Sequence, residues 1–177
     1  MNKFSLFIAM CLSVCDLFAV NISKTEIQST LEDKVYAVKQ LANLPVIVQS
    51  VVEQNNANLS MTEINKRDEE WKKTTELTPF KLALQNNAVG KLLKLKVKDS
   101  NIYNEAFLTD VQGANVAAYP ATSDYWQGDE KKFTAAFNNG NGKTFVGPVE
   151  LDQSTGIHAA QISVPVISNG KTIGILI

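Results

Sequence analysis

The sequence predicts an α+β fold in a single domain, with helices in its N-terminal half and strands in its C-terminal half. Three observations carry that expectation. As far as Val97 the apolar residues recur at steps of three and four, the period of a helix face. After Asp99-Ser100-Asn101 they gather into short runs separated by Gly, Asn, Asp and Ser, which is the pattern of strands and turns. One further helical segment interrupts those strands. Segregation of this kind argues for an antiparallel sheet covered by helices and against alternating βαβ units.

The first element is a leader. Lys3 precedes the apolar run Phe4–Cys15, which Asp16 interrupts. A spanning helix needs about 20 apolar residues, so the run is too short for one and has the outline of a secretory signal peptide. Cleavage is expected after Ala19, which makes 1–19 the signal peptide and 20–177 the domain, with a helical part at 20–100 and a sheet part at 101–177. Leu12-Ser13-Val14-Cys15 offers a second reading, a lipobox with Cys15 acylated, although Val14 is larger than the residue that precedes a lipidated cysteine. Export places the domain in the periplasm or at the cell surface. Both cysteines fall in the leader, so the mature chain has no disulfide and no thiol nucleophile.

From Glu26, the residues Ile27, Leu31, Val35, Val38 and Leu41 mark one face of an amphipathic helix. Pro45 breaks it and favours a restart, since proline opposes a continuing helix but suits a first turn. The pattern resumes through Val46, Val48, Val51 and Val52 and fades in Gln54–Asn58. Ser60-Met-Thr-Glu63 is a capping-box spacing that starts a helix through Trp71. Thr78-Pro79 is a second start signal, for a helix ending at Asn86-Asn87. A last helical piece runs from Val89 to Val97, and its lysines Lys91, Lys94, Lys96 and Lys98 read as a solvated face.

In the second half, Tyr103–Val111 and Ala114–Tyr119 form a hairpin about Gln112-Gly113, where glycine supplies the positive φ of the turn. The polar and aromatic loop Pro120–Glu130 leads to a short helix, Lys131–Phe137. Strands are then expected at Thr144–Leu151, His158–Ile167 and Thr172 onward, with turns at Asp152–Gly156 and Ser168–Lys171.

Three segments resemble the Cache family of extracytoplasmic sensors, which is PAS-like and includes the PDC-type domains. They are Glu105–Ala117, Thr122–Glu130 (Thr-Ser-Asp-Tyr-Trp-Gln-Gly-Asp-Glu) and Val164–Gly174 (Val-Pro-Val-Ile-Ser-Asn-Gly-Lys-Thr-Ile-Gly). None is specific alone; their order and spacing carry the likeness. The resemblance implies a single Cache domain with a five-stranded antiparallel sheet, a long broken N-terminal helix packed on it, and a ligand pocket between the sheet and its covering loops. It implies a non-catalytic sensor that binds an amine, an amino acid or a carboxylate, with a membrane receptor as signalling partner; the oligomeric state is left open, the first helix being a face that could pair with its copy in a homodimer. Two alternatives stand beside it: a secreted or lipid-anchored PAS-like scaffold without a ligand, and the N-terminal fragment of a chemoreceptor or histidine kinase.

The candidate ligand-binding residues follow from residue chemistry and from that resemblance. Tyr125 and Trp126 supply walls with polar edges, and Asp124 accepts from a cationic group. Tyr119 ends the strand before their loop. Asp152 and His158 are the candidates from the far wall, Asp152 being equally suited to bond its own turn. Asp110 is expected to serve the hairpin turn and Asp129 to cap the helix after it. With one histidine and no mature cysteine, no Cys–His pair, metal set or placed Ser–His–Asp triad can be read, and no catalytic residue, metal or cofactor is expected. The net charge of −1 supplies no overall field to hold nucleic acid or an anionic membrane.

Overall fold

The computed structural model describes residues 24–100, 102–152 and 157–177. The expected leader at 1–19, with Cys15, lies outside them, as do the side chains of Asp152 and His158. The helical half contains α1 (Lys24–Ala42), α2 (Pro45–Asn56), α3 (Met61–Lys72), α4 (Pro79–Asn86) and α5 (Ala88–Lys98). Pro45 restarts the helix as expected, and the two pieces on either side of the break are bent by 60°. Among the described residues no single helix is long and apolar enough to cross a membrane.

Local chemistry sets these boundaries. Ser60 Oγ accepts from the Glu63 amide at 3.2 Å and Thr78 Oγ1 from that of Lys81 at 3.3 Å. Only half of the capping box forms, because the Glu63 carboxylate turns outward to Arg67 at 2.9 Å. Asn87 ends α4 and caps α5, its Oδ1 accepting from the Gly90 amide at 2.7 Å.

The strands are β1 (Ala106–Thr109), β2 (Asn115–Tyr119), β3 (Phe145–Val146), β4 (Glu150–Asp152), β5 (Ile157–Ala159), β6 (Ile162–Ser168) and β7 (Lys171–Leu176), with α6 (Lys131–Phe137) between β2 and β3. Five of them form the antiparallel sheet that the sequence predicts, in the order β2-β1-β7-β6-β3. The expected strands Thr144–Leu151 and His158–Ile167 are each divided, and their outer pieces, β4 and β5, pair as a separate two-stranded ribbon. Gly147 donates to the Gln161 carbonyl at 2.8 Å, and Pro148, with no N–H to give, follows at the point where the ladder stops.

Register assigns the faces of the sheet. Leu108, Ala117, Leu176 and Val164 sit opposite one another across neighbouring strands and, with Val166, pack against Ala42, Ile47 and Val51 of α1–α2 and Val89 and Leu93 of α5. The other face carries Ile175, against which Phe133 and Ala136 of α6 pack. The broken helix therefore covers one face, as expected, but shares it with α5.

The end of α2, where the hydrophobic period fades, is anchored by polar contacts. Asn55 Nδ2 donates to the Ile173 carbonyl (2.8 Å) and its Oδ1 accepts from the Val111 amide (3.0 Å). Gln54 Nε2 donates to Asp110 Oδ2 (2.8 Å). Asp110 has the expected turn role, its Oδ1 accepting from the amides of Gln112 and Ala114, both at 2.9 Å, while Gly113 takes φ 86°. Burial pushes the Asp110 carboxyl above its ordinary range, and the hydrogen bonds from Gln54 and the turn amides pull it partly back. A folded-state value above the unfolded one means that the group's stabilising contribution is full below the unfolded value and is lost as pH rises through the folded one. In urea unfolding, the stability of the parent relative to Asp110→Asn should thus fall on going from acid to neutral pH. A constant difference would show that the carboxyl is not shifted upward.

Candidate functional site: the loop along the sheet edge

The resemblance puts a pocket between the sheet and its covering loops, which would have the loop between β2 and α6 lie over the sheet face. Instead it returns along the free edge of β2. The Asn115 amide donates to the Tyr125 carbonyl at 3.0 Å, the Gln127 amide donates to the Gly113 carbonyl at 2.8 Å, and Ala114 and Trp126 form an isolated bridge. The segment thereby covers an edge that would otherwise present unpaired backbone groups.

What holds it there is α3. Ile64, Asp68 and Trp71 are all buried, at a spacing of four and three that puts them on one helix face. Asp68 Oδ1 accepts from the amides of Tyr125 (2.9 Å) and Trp126 (3.0 Å), and its Oδ2 meets Lys72 Nζ at 2.6 Å. Trp71 Nε1 donates to the Thr122 carbonyl at 2.7 Å. Below the loop, Asn115 Nδ2 donates to Thr122 Oγ1 (2.7 Å) and to the Asp124 carbonyl (3.2 Å), which also accepts from Thr122 Oγ1 (2.6 Å) and Gln127 Nε2 (3.0 Å). The amide oxygens of the same two residues, Asn115 Oδ1 and Gln127 Oε1, are buried and find no donor among the described residues.

The predicted residues occupy three separate places. Asp124, Tyr125 and Trp126 share the loop. The Asp124 carboxylate accepts from Gln127 Nε2 (2.6 Å) and Ser123 Oγ (2.9 Å) and lies 3.9 Å from Lys72 Nζ. Tyr125 is only 1 % exposed, with its ring 5.2 Å from that of Phe80 and 5.9 Å from that of Trp71. Burial raises its hydroxyl above the ordinary phenol range, against the pull of neighbouring Arg67. Trp126 is half-buried and donates from Nε1 to the Gln112 carbonyl at 2.8 Å.

Tyr119 lies at the other end of β2, packed with the core beneath α1, α2 and α5, and Lys94 Nζ sits 5.5 Å from its ring centre. Asp152 and His158 belong to the β4–β5 ribbon, beyond the β3 edge of the main sheet, whereas the loop runs along the β2 edge. Asp129 is exposed and does not cap α6: the N-cap is Glu130, which caps with no side-chain bond and pairs with Lys132 at 3.1 Å. The Lys132 side chain is only 12 % exposed and its Nζ lies 5.2 Å from the ring centre of Phe107, on the α6 side of the sheet.

Sequence reasoning missed Asp68, Asn115, Thr122 and Gln127. A signal existed for the first, since a carboxylate set between Ile64 and Trp71 on one helix face calls for a buried partner. The other three gain their roles from the path of the loop.

No protein-family model and no curated protein matches the chain. Its structural neighbours are sensory domains. It is similar to the sensory domain of the Campylobacter jejuni chemoreceptor Tlp3 (CcmL) with isoleucine bound, at 21 % identity and a TM-score of 0.39, over 88 % of this chain and 62 % of that one. It is also similar to the ligand-binding domain of Tlp3 in complex with L-valine (21 %, TM-score 0.38, 88 % and 62 %) and to the sensor domain of the V. cholerae histidine kinase DctB (14 %, TM-score 0.34, 85 % and 55 %). The chain thus spans less than two thirds of the length of these domains.

Proposed function

We propose that the chain is an exported, non-catalytic sensor domain of the Cache type, that its β2–α6 loop contacts a small molecule, and that it reports to a membrane receptor or forms part of one. The observation that carries this reading is the pair of buried amide oxygens, Asn115 Oδ1 and Gln127 Oε1, under a loop whose backbone is otherwise pinned. A buried acceptor without a donor costs about 1–3 kcal/mol. Two of them beside one carbonyl favour a ligand that brings N–H groups, an amine or an amino acid, over a carboxylate alone. Asp124 and the indole edge of Trp126 complete this candidate site.

A thermal-shift screen of amines, amino acids and carboxylates tests it. A ligand present at about 100 times its dissociation constant stabilises the fold by about 2.7 kcal/mol. Trp126→Ala is expected to abolish that shift while the domain still folds, because the indole is only half-buried. Asp124→Asn is expected to weaken binding of a cationic ligand and to leave a neutral one unaffected. If Trp126→Ala unfolds the domain, or binds as the parent does, the loop is structural.

The second reading, a PAS-like scaffold without a ligand, has its own support. Tyr125 is sealed in the core and the Asp124 carboxylate already has two hydrogen-bond donors. It predicts that no compound in the screen shifts the melting temperature.

A further inference from the structure

Charge is unevenly distributed in this nearly neutral chain. From Leu77 to Lys98 the sequence carries five lysines and no aspartate or glutamate, although the net charge of the whole is −1. Lys81 of this set is buried, its ammonium donating to the Thr74 carbonyl. The other four, Lys91, Lys94, Lys96 and Lys98, all belong to α5, and among the described residues no ion pair engages them.

The helix has a sharply divided section. Val89, Gly90 and Leu93 are buried, Val89 and Leu93 within the core shared with the sheet. Outward, Lys91, Leu95 and Lys98 follow at steps of four and three and form a stripe, with Lys96 exposed on its flank. Leu95 is 54 % exposed, and Ile102, just past the helix, is 58 % exposed. The nearest acidic residues in sequence are Asp99, which caps the C-terminus of α5, and Glu105 at the entry to β1. Solvation alone accounts for lysines but gives no reason for a bare Leu95 in the middle of their stripe, with Ile102 bare four residues beyond the helix. An interface with negative headgroups outside and hydrocarbon beneath satisfies both, because the ammonium groups stay at the surface while the apolar side chains enter.

We propose that the outer face of α5 docks on an anionic phospholipid surface, with Lys91, Lys96 and Lys98 at the headgroups and Leu95 and Ile102 in the acyl boundary. This surface is independent of the β2–α6 loop and of whatever that loop binds. Net charge sets only the far field, which salt screens within about 8–10 Å, so a local basic stripe acts at contact even in a chain of −1.

The test is co-sedimentation of the full chain with vesicles of phosphatidylcholine alone and of equal parts phosphatidylcholine and phosphatidylglycerol, at low and high salt. The leader, whose apolar run Phe4–Cys15 follows the N-terminal amine and Lys3, brings an anionic preference of its own, so the informative quantity is the change in that preference on substitution in α5. Each lysine removed should weaken partition to the anionic vesicles about fivefold, hence roughly thirtyfold for Lys91→Gln with Lys98→Gln. Leu95→Ser should weaken it further without altering the salt dependence. The charge-retaining pair Lys91→Arg and Lys98→Arg should bind as the parent does, as should the control pair Lys66→Gln and Lys73→Gln on and just after α3. Equal binding to both vesicle types overturns the proposal, as does an equal loss in the α3 control. Salt-sensitive binding to a single-stranded oligonucleotide with no preference among vesicles also overturns it.

Discussion

Replacing Asp68 by alanine is expected to destabilise the fold by about 3–5 kcal/mol, since two hydrogen bonds to a charged acceptor, worth about 1.5–3 kcal/mol each, are lost together. The amides of Tyr125 and Trp126 would be left without their acceptor, in a loop whose return along β2 depends on them. The contact with Lys72 contributes little to that total, because the lysine is half exposed and screened by water. Asparagine separates the two contributions. Asp68→Asn keeps the Oδ1 acceptor and should cost only about 1 kcal/mol, the difference between a charged and a neutral acceptor. Urea unfolding of the parent and both variants decides the matter: an asparagine variant as unstable as the alanine one would assign the stabilisation to the ion pair.

The second large effect is expected at the centre of the sheet. Gly174 lies in β7 opposite Val166, and a Cβ there would overlap the backbone carbonyl oxygen of Thr109 and come within 2.9 Å of Val51 Cγ1. Backbone cannot rotate aside as a side chain does, so Gly174→Ala must spread β1 from β7 or push α2 off the sheet. A loss of about 3 kcal/mol or more is expected, at or above the upper end for overpacking a core. Gly170, in the turn before β7, is the control. It has φ +73° but nothing within 4 Å of a built Cβ, so Gly170→Ala should cost only about 1–2 kcal/mol of left-handed strain. Gly174 itself has no positive φ, so a loss there no larger than at Gly170 would mean that small shifts of β1 and α2 relieve the close approach.

The helical half was legible because its signals are local. A cap acts within three residues, so Ser60, Thr78 and Pro45 mark their helices wherever those helices later pack. The hairpin turn was legible for the same reason, Asp110 and Gly113 meeting requirements of their own backbone. Strand division was not, because hydrophobic content continues through Phe145–Leu151 while the ladder stops at a proline, and where a ladder stops depends on the partner strand. The candidate site was legible only in part. Tyr125 and Trp126 are the loop's aromatics, as read, but aromatic content does not state which side each ring takes, and the Tyr125 ring faces α3 and α4. Asp129 and Glu130 are equivalent at the level of composition, and helix geometry selected Glu130 as the N-cap.

The position of β7 bears on how such a domain comes into being. This strand lies between β1 and β6, so the β1–β2 hairpin joins the remainder of the sheet through Lys171–Leu176. During synthesis the hairpin and the described helices before it therefore emerge long before the rung that unites them, and the β1–β7 contacts that join the hairpin to the remainder are distant in sequence. Until that central rung arrives the sheet is incomplete, and the two halves lock together only as β7 is added.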